Sequence, residues 1–164
     1  MASVELFDPS LEHLYQELLI EFPNSTPEAI EASLMFFRIA ANRNVKMEAL
    51  FSEYGLTSGR FSLLMLLRHE PSRQLSPSEM AKRIQVSRAT MTQFIDSLEK
   101  DNFIVRVDDP HDRRCMQIQL TAIGENTLNR VLPKHLKSLE ELTMTLTRSE
   151  RKQLFHLMSK LVRE

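Results

Sequence analysis

Residues 75–102, LSPSEMAKRIQVSRATMTQFIDSLEKDN, constrain the fold more than any other part of the chain. Ser76-Pro77-Ser78-Glu79 has the form of a capping box, in which the Ser76 hydroxyl accepts from a free backbone N–H and Glu79 reaches back to the cap. The helix that opens there buries Met80, Ala81 and Ile84 and lasts barely two turns before Ile84-Gln85-Val86-Ser87 breaks it. Ser87 then caps a second helix, where Met91, Phe94, Ile95 and Leu98 recur at i, i+3, i+4 and i+7 as one buried stripe. Small side chains at Ala81 and Ala89 let the two helices cross closely. Two short helices joined by so tight a turn predict a helix-turn-helix, whose second helix presents its first turns to the DNA major groove.

Beyond Asn102 the period changes. In FIVRV, Phe103, Val105 and Val107 alternate with Ile104 and Arg106, and in CMQIQL, Met116, Ile118 and Leu120 alternate with Gln117 and Gln119. A charged loop with Asp108, Asp109, Asp112, Arg113 and Arg114 joins the two runs, so the order is helix, turn, helix, hairpin. The flanks read as helix. An amphipathic segment at 10–21 carries Leu11, Leu14, Leu18 and Leu19. Thr26-Pro27-Glu28 opens a long helix with Ile30, Leu34, Phe37, Ala41, Val45 and Leu50 at helical spacing, stopped by Gly55. Thr57 caps an apolar helix that closes at Pro71, and Thr121 caps another long, amphipathic one that Pro133 is expected to bend. A second capping box, Thr147-Arg148-Ser149-Glu150, opens a last helix that buries Leu154, Leu157, Met158 and Leu161.

Composition sets outer bounds. A chain of 164 residues, 42% hydrophobic, can bury one core without disulfide or metal staples, and only 3 Gly favour helix. No apolar run approaches the roughly 20 residues that span a bilayer. MASVELFDPS has neither the basic nor the apolar region of a secretory signal, and a single cysteine, Cys115, suits a reducing cytoplasm, so the expected location is cytoplasmic. Cys115 has no second cysteine to pair with and is expected to be an inert small hydrophobe. The five histidines show no close metal-ligand spacing, and no nucleophile–base pairing or Gly-rich phosphate loop stands out. Neither a cofactor nor a metal nor enzymatic activity is expected. Net charge is −1 but unevenly spread: residues 1–54 are net −6, residues 55–125 net +1 and residues 126–164 net +4. This distribution permits a nucleic-acid partner without demanding one.

Residues 75–124 resemble the MarR family of bacterial winged helix-turn-helix transcription regulators. The resemblance is most specific in DDPHDRRCMQIQLTAIG, where Asp112 and Arg114 match the family's Asp-x-Arg, and Leu120, Thr121 and Gly124 match its Leu-Thr-x-x-Gly. It implies a mainly α fold with a small β-hairpin wing: a single domain over 1–164, with a winged helix-turn-helix lobe at 55–120 and a helical dimerisation region at 1–54 and 121–164. It also implies a homodimer that binds a pseudo-palindromic operator on double-stranded DNA, in most cases as a ligand-responsive repressor.

On that reading Ser87, Arg88, Thr90, Thr92 and Gln93 form the major-groove set, since Arg pairs with guanine, Gln with adenine, and Thr with a phosphate or a thymine methyl. In the wing, Arg114 matches the family's minor-groove arginine and Asp112 orients it, while Arg113, Arg106 and His111 are second-rank phosphate contacts. Relatives bind small aromatic or phenolic effectors, and Phe36, Phe37, Arg43, Met65 and His69 are the candidate border of such a pocket. The alternative is a winged-helix protein–protein module that does not read DNA sequence.

Overall fold

Helix ends organise this architecture, seen in a computed structural model that describes residues 15, 17–22, 24–108 and 116–162. The first long helix, α1 (Pro27–Ser52), ends in a Schellman turn. Gly55 sits at φ 66°, its N–H bonds Ser52 O at 3.0 Å, and the N–H of Leu56 returns to Phe51 O at 3.0 Å. Phe51 and Leu56, on either side of the turn, are both buried. Next come α2 (Ser58–His69), capped by Thr57, then β1 (Gln74–Leu75), α3 (Pro77–Ile84), α4 (Arg88–Lys100), β2 (Ile104–Asp108), β3 (Met116–Leu120), α5 (Ala122–Glu141) and α6 (Arg148–Leu161). The chain forms two compact units, Met1–Ala49 and Leu50–Glu164. The second holds the helix-turn-helix and sheet together with α5 and α6, because Leu128 and Val131 of α5 are fully buried and α5 packs on α2.

The first unit contains a helical stretch at 17–21, with Leu18 and Leu19 half-buried. Leu11 and Leu14, expected on the same face, lie outside the described residues. The apolar stripe expected along α1 is only partly covered: Ile30, Leu34 and Ala41 are half-buried, whereas Phe37 and Val45 are 55% and 69% exposed.

In the second unit, Phe61, Leu63, Leu64 and Leu67 of α2 form the centre of the core. Met80 and Ala81 of α3 and Met91, Ile95 and Leu98 of α4 close over it, as the helical spacing predicts. Ala89 departs from expectation. It lies on the exposed face of α4, so the close crossing of the two helices rests on Ala81 alone. Phe51 stacks on Phe61 at 4.4 Å between ring centroids, and the His135 ring lies 5.0 Å from Phe61.

The expected hairpin is one half of a three-stranded antiparallel sheet in the order β1-β3-β2. β1 pairs Leu75 with Ile118, and β2 pairs Ile104 with Leu120 and Arg106 with Ile118. Ile104, not Val105, is the buried residue of β2, and Val105 is 41% exposed. The reason is local: Phe103 belongs to the turn that ends α4, not to the strand. Asn102 occupies the left-handed region at φ 59°, and the Phe103 N–H closes on Leu98 O at 2.9 Å.

The Leu120-Thr121-x-x-Gly124 motif joins the sheet to α5. The Thr121 hydroxyl accepts from the Gly124 N–H at 3.1 Å, capping α5, and donates to Asn102 O at 2.7 Å. The Thr121 N–H bonds Phe103 O at 3.1 Å. A Cβ at Gly124 would lie 2.2 Å from that same Phe103 oxygen, so only glycine lets α5 start here.

α6 carries the predicted capping box, with the Thr147 N–H donating to Glu150 at 2.7 Å, but buries none of its apolar residues. Leu154, Leu157, Met158 and Leu161 are 37%, 50%, 41% and 75% exposed, contrary to expectation, because none of the described residues of the single chain covers them.

These helix ends make distinct contributions to stability. Gly124→Ala drives a methyl into backbone and is expected to cost about 3 kcal/mol in urea unfolding at fixed protein concentration. Gly55→Ala meets no atom within 4 Å, and only its left-handed backbone opposes the change, for about 1 kcal/mol. The backbone and hydroxyl of Thr147 hold the Glu150 carboxyl below its ordinary pKa. Its stabilising effect is therefore complete above the ordinary glutamate value of about 4.3 and fades as pH falls through the lower folded value. Glu150→Gln is expected to remove that acid dependence, read from the pH profile of the unfolding midpoint.

Candidate nucleic-acid interface

The turn between α3 and α4 forces one non-glycine residue into the left-handed region. Gln85 lies at φ 60°, ψ 45°, its N–H bonding Ala81 O, and the Val86 N–H also returns to Ala81 O at 3.1 Å. Ser87 then caps α4: its hydroxyl accepts from the Thr90 N–H at 3.1 Å and shares a 2.8 Å hydrogen bond with the Thr90 hydroxyl. Thr90 is half-buried, and this pairing makes it part of the cap.

The expected major-groove residues therefore separate by geometry. Arg88, Thr92 and Gln93 lie on one exposed face of α4 with Ala89 and Asp96, while Ser87 and Thr90 finish the helix end. The Thr92 hydroxyl donates back to Arg88 O at 3.0 Å, leaving its oxygen free to accept. No described residue bonds the side chain of Arg88 or Gln93. Their donors are free for an external partner at the end of the helix that is electropositive.

The far half of α4 is held by arginines that the sequence reading did not connect to it. Arg60 of α2 bonds Asp101 and donates to Ser97 O at 3.4 Å, with its guanidinium 5.6 Å from the Phe103 ring centroid. Arg106 of β2 bonds Asp96 and, at 2.9 Å, Glu99. Gly59 of α2 allows close approach, since a Cβ there would lie 2.6 Å from Phe94 Cζ. Arg83 bonds Glu70 at 2.8 Å, tying α3 to the end of α2, and Arg73 bonds Glu125 at 2.8 Å, tying the loop before β1 to α5.

β2 and β3 support the wing up to their last pair, Asp108 with Met116. Asp112, Arg113 and Arg114, with His111 and Cys115, lie outside the described residues. The candidate effector residues fall in both units. Phe36, Phe37 and Arg43 are on the part of α1 in the first, with the two phenyl rings edge-to-face at 6.2 Å and both exposed. Met65 and His69 are on α2 in the second, where His69 Nδ1 is 2.9 Å from Met65 O.

Comparison with known proteins agrees with this geometry. The model of the MarR family matches residues 56–116, from before α2 through the helix-turn-helix and β2 to the first residue of β3. The HTH-type transcriptional repressor YetL of Bacillus subtilis is 35% identical over 131 residues, covering 80% of this chain and 78% of YetL. This chain belongs to the MarR family. The transcriptional repressor MprA of Escherichia coli K12 is 32% identical over 125 residues, 76% of this chain and 69% of MprA. Sco3205 of Streptomyces coelicolor, a MarR family transcriptional regulator solved in complex with DNA, has the same fold. Its TM-score is 0.72 at 24% identity, over 84% of this chain and 87% of Sco3205.

In this MarR family member the N-terminal end of α4 depends on a serine cap and a strained turn. Ser87→Ala is expected to cost about 1 kcal/mol of unfolding free energy through removal of the cap. Gln85→Gly relieves the left-handed strain and is expected to stabilise by about 0.5–1 kcal/mol in the same denaturation assay.

Proposed function

We propose that this MarR family chain is a sequence-specific, double-stranded DNA-binding transcription regulator, acting as a homodimer on a pseudo-palindromic operator. The observation that carries the reading is the open face of α4. There Arg88 and Gln93 have no side-chain partner among the described residues and the Thr92 hydroxyl bonds only Arg88 O of the same helix, while the other half of the helix is clamped. Arg88 forms a bidentate contact with guanine, Gln93 pairs with adenine, and Thr92 meets a phosphate or a thymine methyl. Ser87 and Thr90 set the helix end and bring its backbone N–H groups to phosphate. In the wing, Arg114 enters the minor groove, aimed by Asp112, with Arg113 on the backbone. That YetL and MprA are repressors supports the same sign of control here.

The apolar side chains left uncovered in the single chain support the dimer. Phe155 and Leu161 on α6 are each 75% exposed, and Met35, Phe36, Phe37 and Ile39 on α1 are all exposed. A two-fold pair places two α4 helices in successive major grooves about 34–36 Å apart. A small aromatic or phenolic effector then releases the DNA; the candidate contacts are Phe36, Phe37 and Arg43 in the first unit and, taken separately, Met65 and His69 in the second.

Selection from random duplexes at moderate salt tests the reading and is expected to return two half-sites one helical turn apart. Arg88→Ala is expected to weaken operator binding by about 1–3 kcal/mol and relax one base position. Arg114→Ala is expected to weaken it and to make the salt slope shallower by about one for each phosphate that the side chain neutralises. A native protein with no sequence preference overturns the regulator reading in favour of a protein–protein module.

A further inference from the structure

Arg106 stands on β2 opposite Ile118, a fully buried residue of β3. Its Nη2 bonds Asp96, and its Nη1 donates to Glu99 Oε2 at 2.9 Å. Asp96 and Glu99 are one helical turn apart on α4, so a single planar guanidinium bridges strand and helix with both ends of its fork occupied. A cation on a wing strand is expected to meet phosphate. This one is already enclosed by two carboxylates, which cancel its attraction for a third anion. Asp96 also shares the exposed face of α4 with Thr92 and Arg88, at i−4 and i−8, where an unpaired carboxylate would repel the DNA backbone.

We infer that Arg106 is a positioning residue for DNA recognition. By holding Asp96 and Glu99 it fixes the rotation of α4 about its own axis relative to β2, and so the direction in which Arg88, Thr92 and Gln93 enter the groove, without itself touching DNA. The inference rests on the DNA-binding reading above. The distribution of restraints on the helix agrees with it. Arg60 and Arg106 reach the C-terminal half of α4 from two different elements, whereas among the described residues the exposed side chains of the first two turns are bonded only within the helix or not at all. Sequence discrimination demands such a hold, because a hydrogen bond to a base edge breaks when the helix turns by a fraction of a side-chain length, while a bond to phosphate tolerates that shift.

The test compares affinity for the selected operator with affinity for a scrambled duplex of the same length, by fluorescence anisotropy across a salt series. The proteins are the native chain, Arg106→Gln, Arg106→Lys, the double variant Asp96→Asn/Glu99→Gln, and the triple combination with Arg106→Gln. If Arg106 positions the helix, Arg106→Gln and the carboxylate double variant each lower the operator-to-scrambled ratio by about tenfold, the size of one bidentate base pairing. The triple variant then falls no further, Arg106→Lys fails to restore the ratio because an ammonium on a flexible stem lacks the rigid planar fork that fixes both carboxylates in one geometry, and the salt slope stays native. If Arg106 instead binds phosphate, the ratio holds in every variant. Scrambled-DNA affinity then falls for Arg106→Gln and rises for the carboxylate variant, and the slope for Arg106→Gln drops by about one; that result overturns the inference while leaving the DNA-binding reading intact. A native ratio of one, seen before any variant is compared, overturns both. The carboxylate variant changes two side chains at the helix surface, so the outcome stands even if Arg106→Gln fails to fold.

Discussion

The carbonyl oxygen of Phe103 is the joint at which α4, the sheet and α5 meet. It accepts from the Thr121 N–H, and it lies where a side chain on Gly124 would have to go. Asn102, one residue earlier, closes α4 in a left-handed turn and gives its own carbonyl to the Thr121 hydroxyl at 2.7 Å. The end of α4, the start of α5 and the root of the sheet therefore meet within a few atoms. Each of these bonds is an ordinary one of about 1 kcal/mol, but together they tie α4 directly to α5.

The ion pairs around that joint resolve the low net charge of a DNA-binding chain. Asp96, Glu99, Asp101, Glu70, Glu125 and Glu53 each have an arginine or lysine partner. Most are solvent-facing, where a pair contributes about 0–1 kcal/mol, so their value lies in geometry more than in stability. They neutralise acids that would oppose phosphate and fix α2, α3, α4 and β2 against one another. Arg88, on the exposed face of α4, has no such partner among the described residues.

Much of this was legible in the sequence because local signals carried it. Ser76, Ser87, Thr121 and Thr147 cap helices where cap chemistry places them, and Met91, Ile95 and Leu98 are buried as their spacing demands. The misses have physical causes. β1 is two residues long, too short to show alternation, and exists only because β3 offers it an edge. The facing of β2 was ambiguous because both alternating sets contain apolar residues, and the turn at Asn102 takes Phe103 out of the strand. Arg60 and Asp101 are 41 positions apart, a pairing that no local pattern announces. The exposure of α6 was missed for a different reason: an amphipathic stripe signals that a helix face seeks cover, not which chain supplies it.

α5 shows why that distinction matters for reading DNA. Its first turns belong to the lobe, with Gly124 against Phe103 and Leu128 and Val131 fully buried. Its later turns carry Leu136 and Leu139, 56% and 44% exposed, without a break in the helix between. A 20-residue helix is roughly 30 Å long, and α5 stays helical over that length although Pro133 removes one hydrogen bond from its ladder. An element seated on the exposed end of α5 is thus linked mechanically to the Phe103 joint, and through it to the face of α4. The buried first turns and the exposed later turns of α5 are thus parts of one element, rooted in a joint that tolerates no extra methyl group.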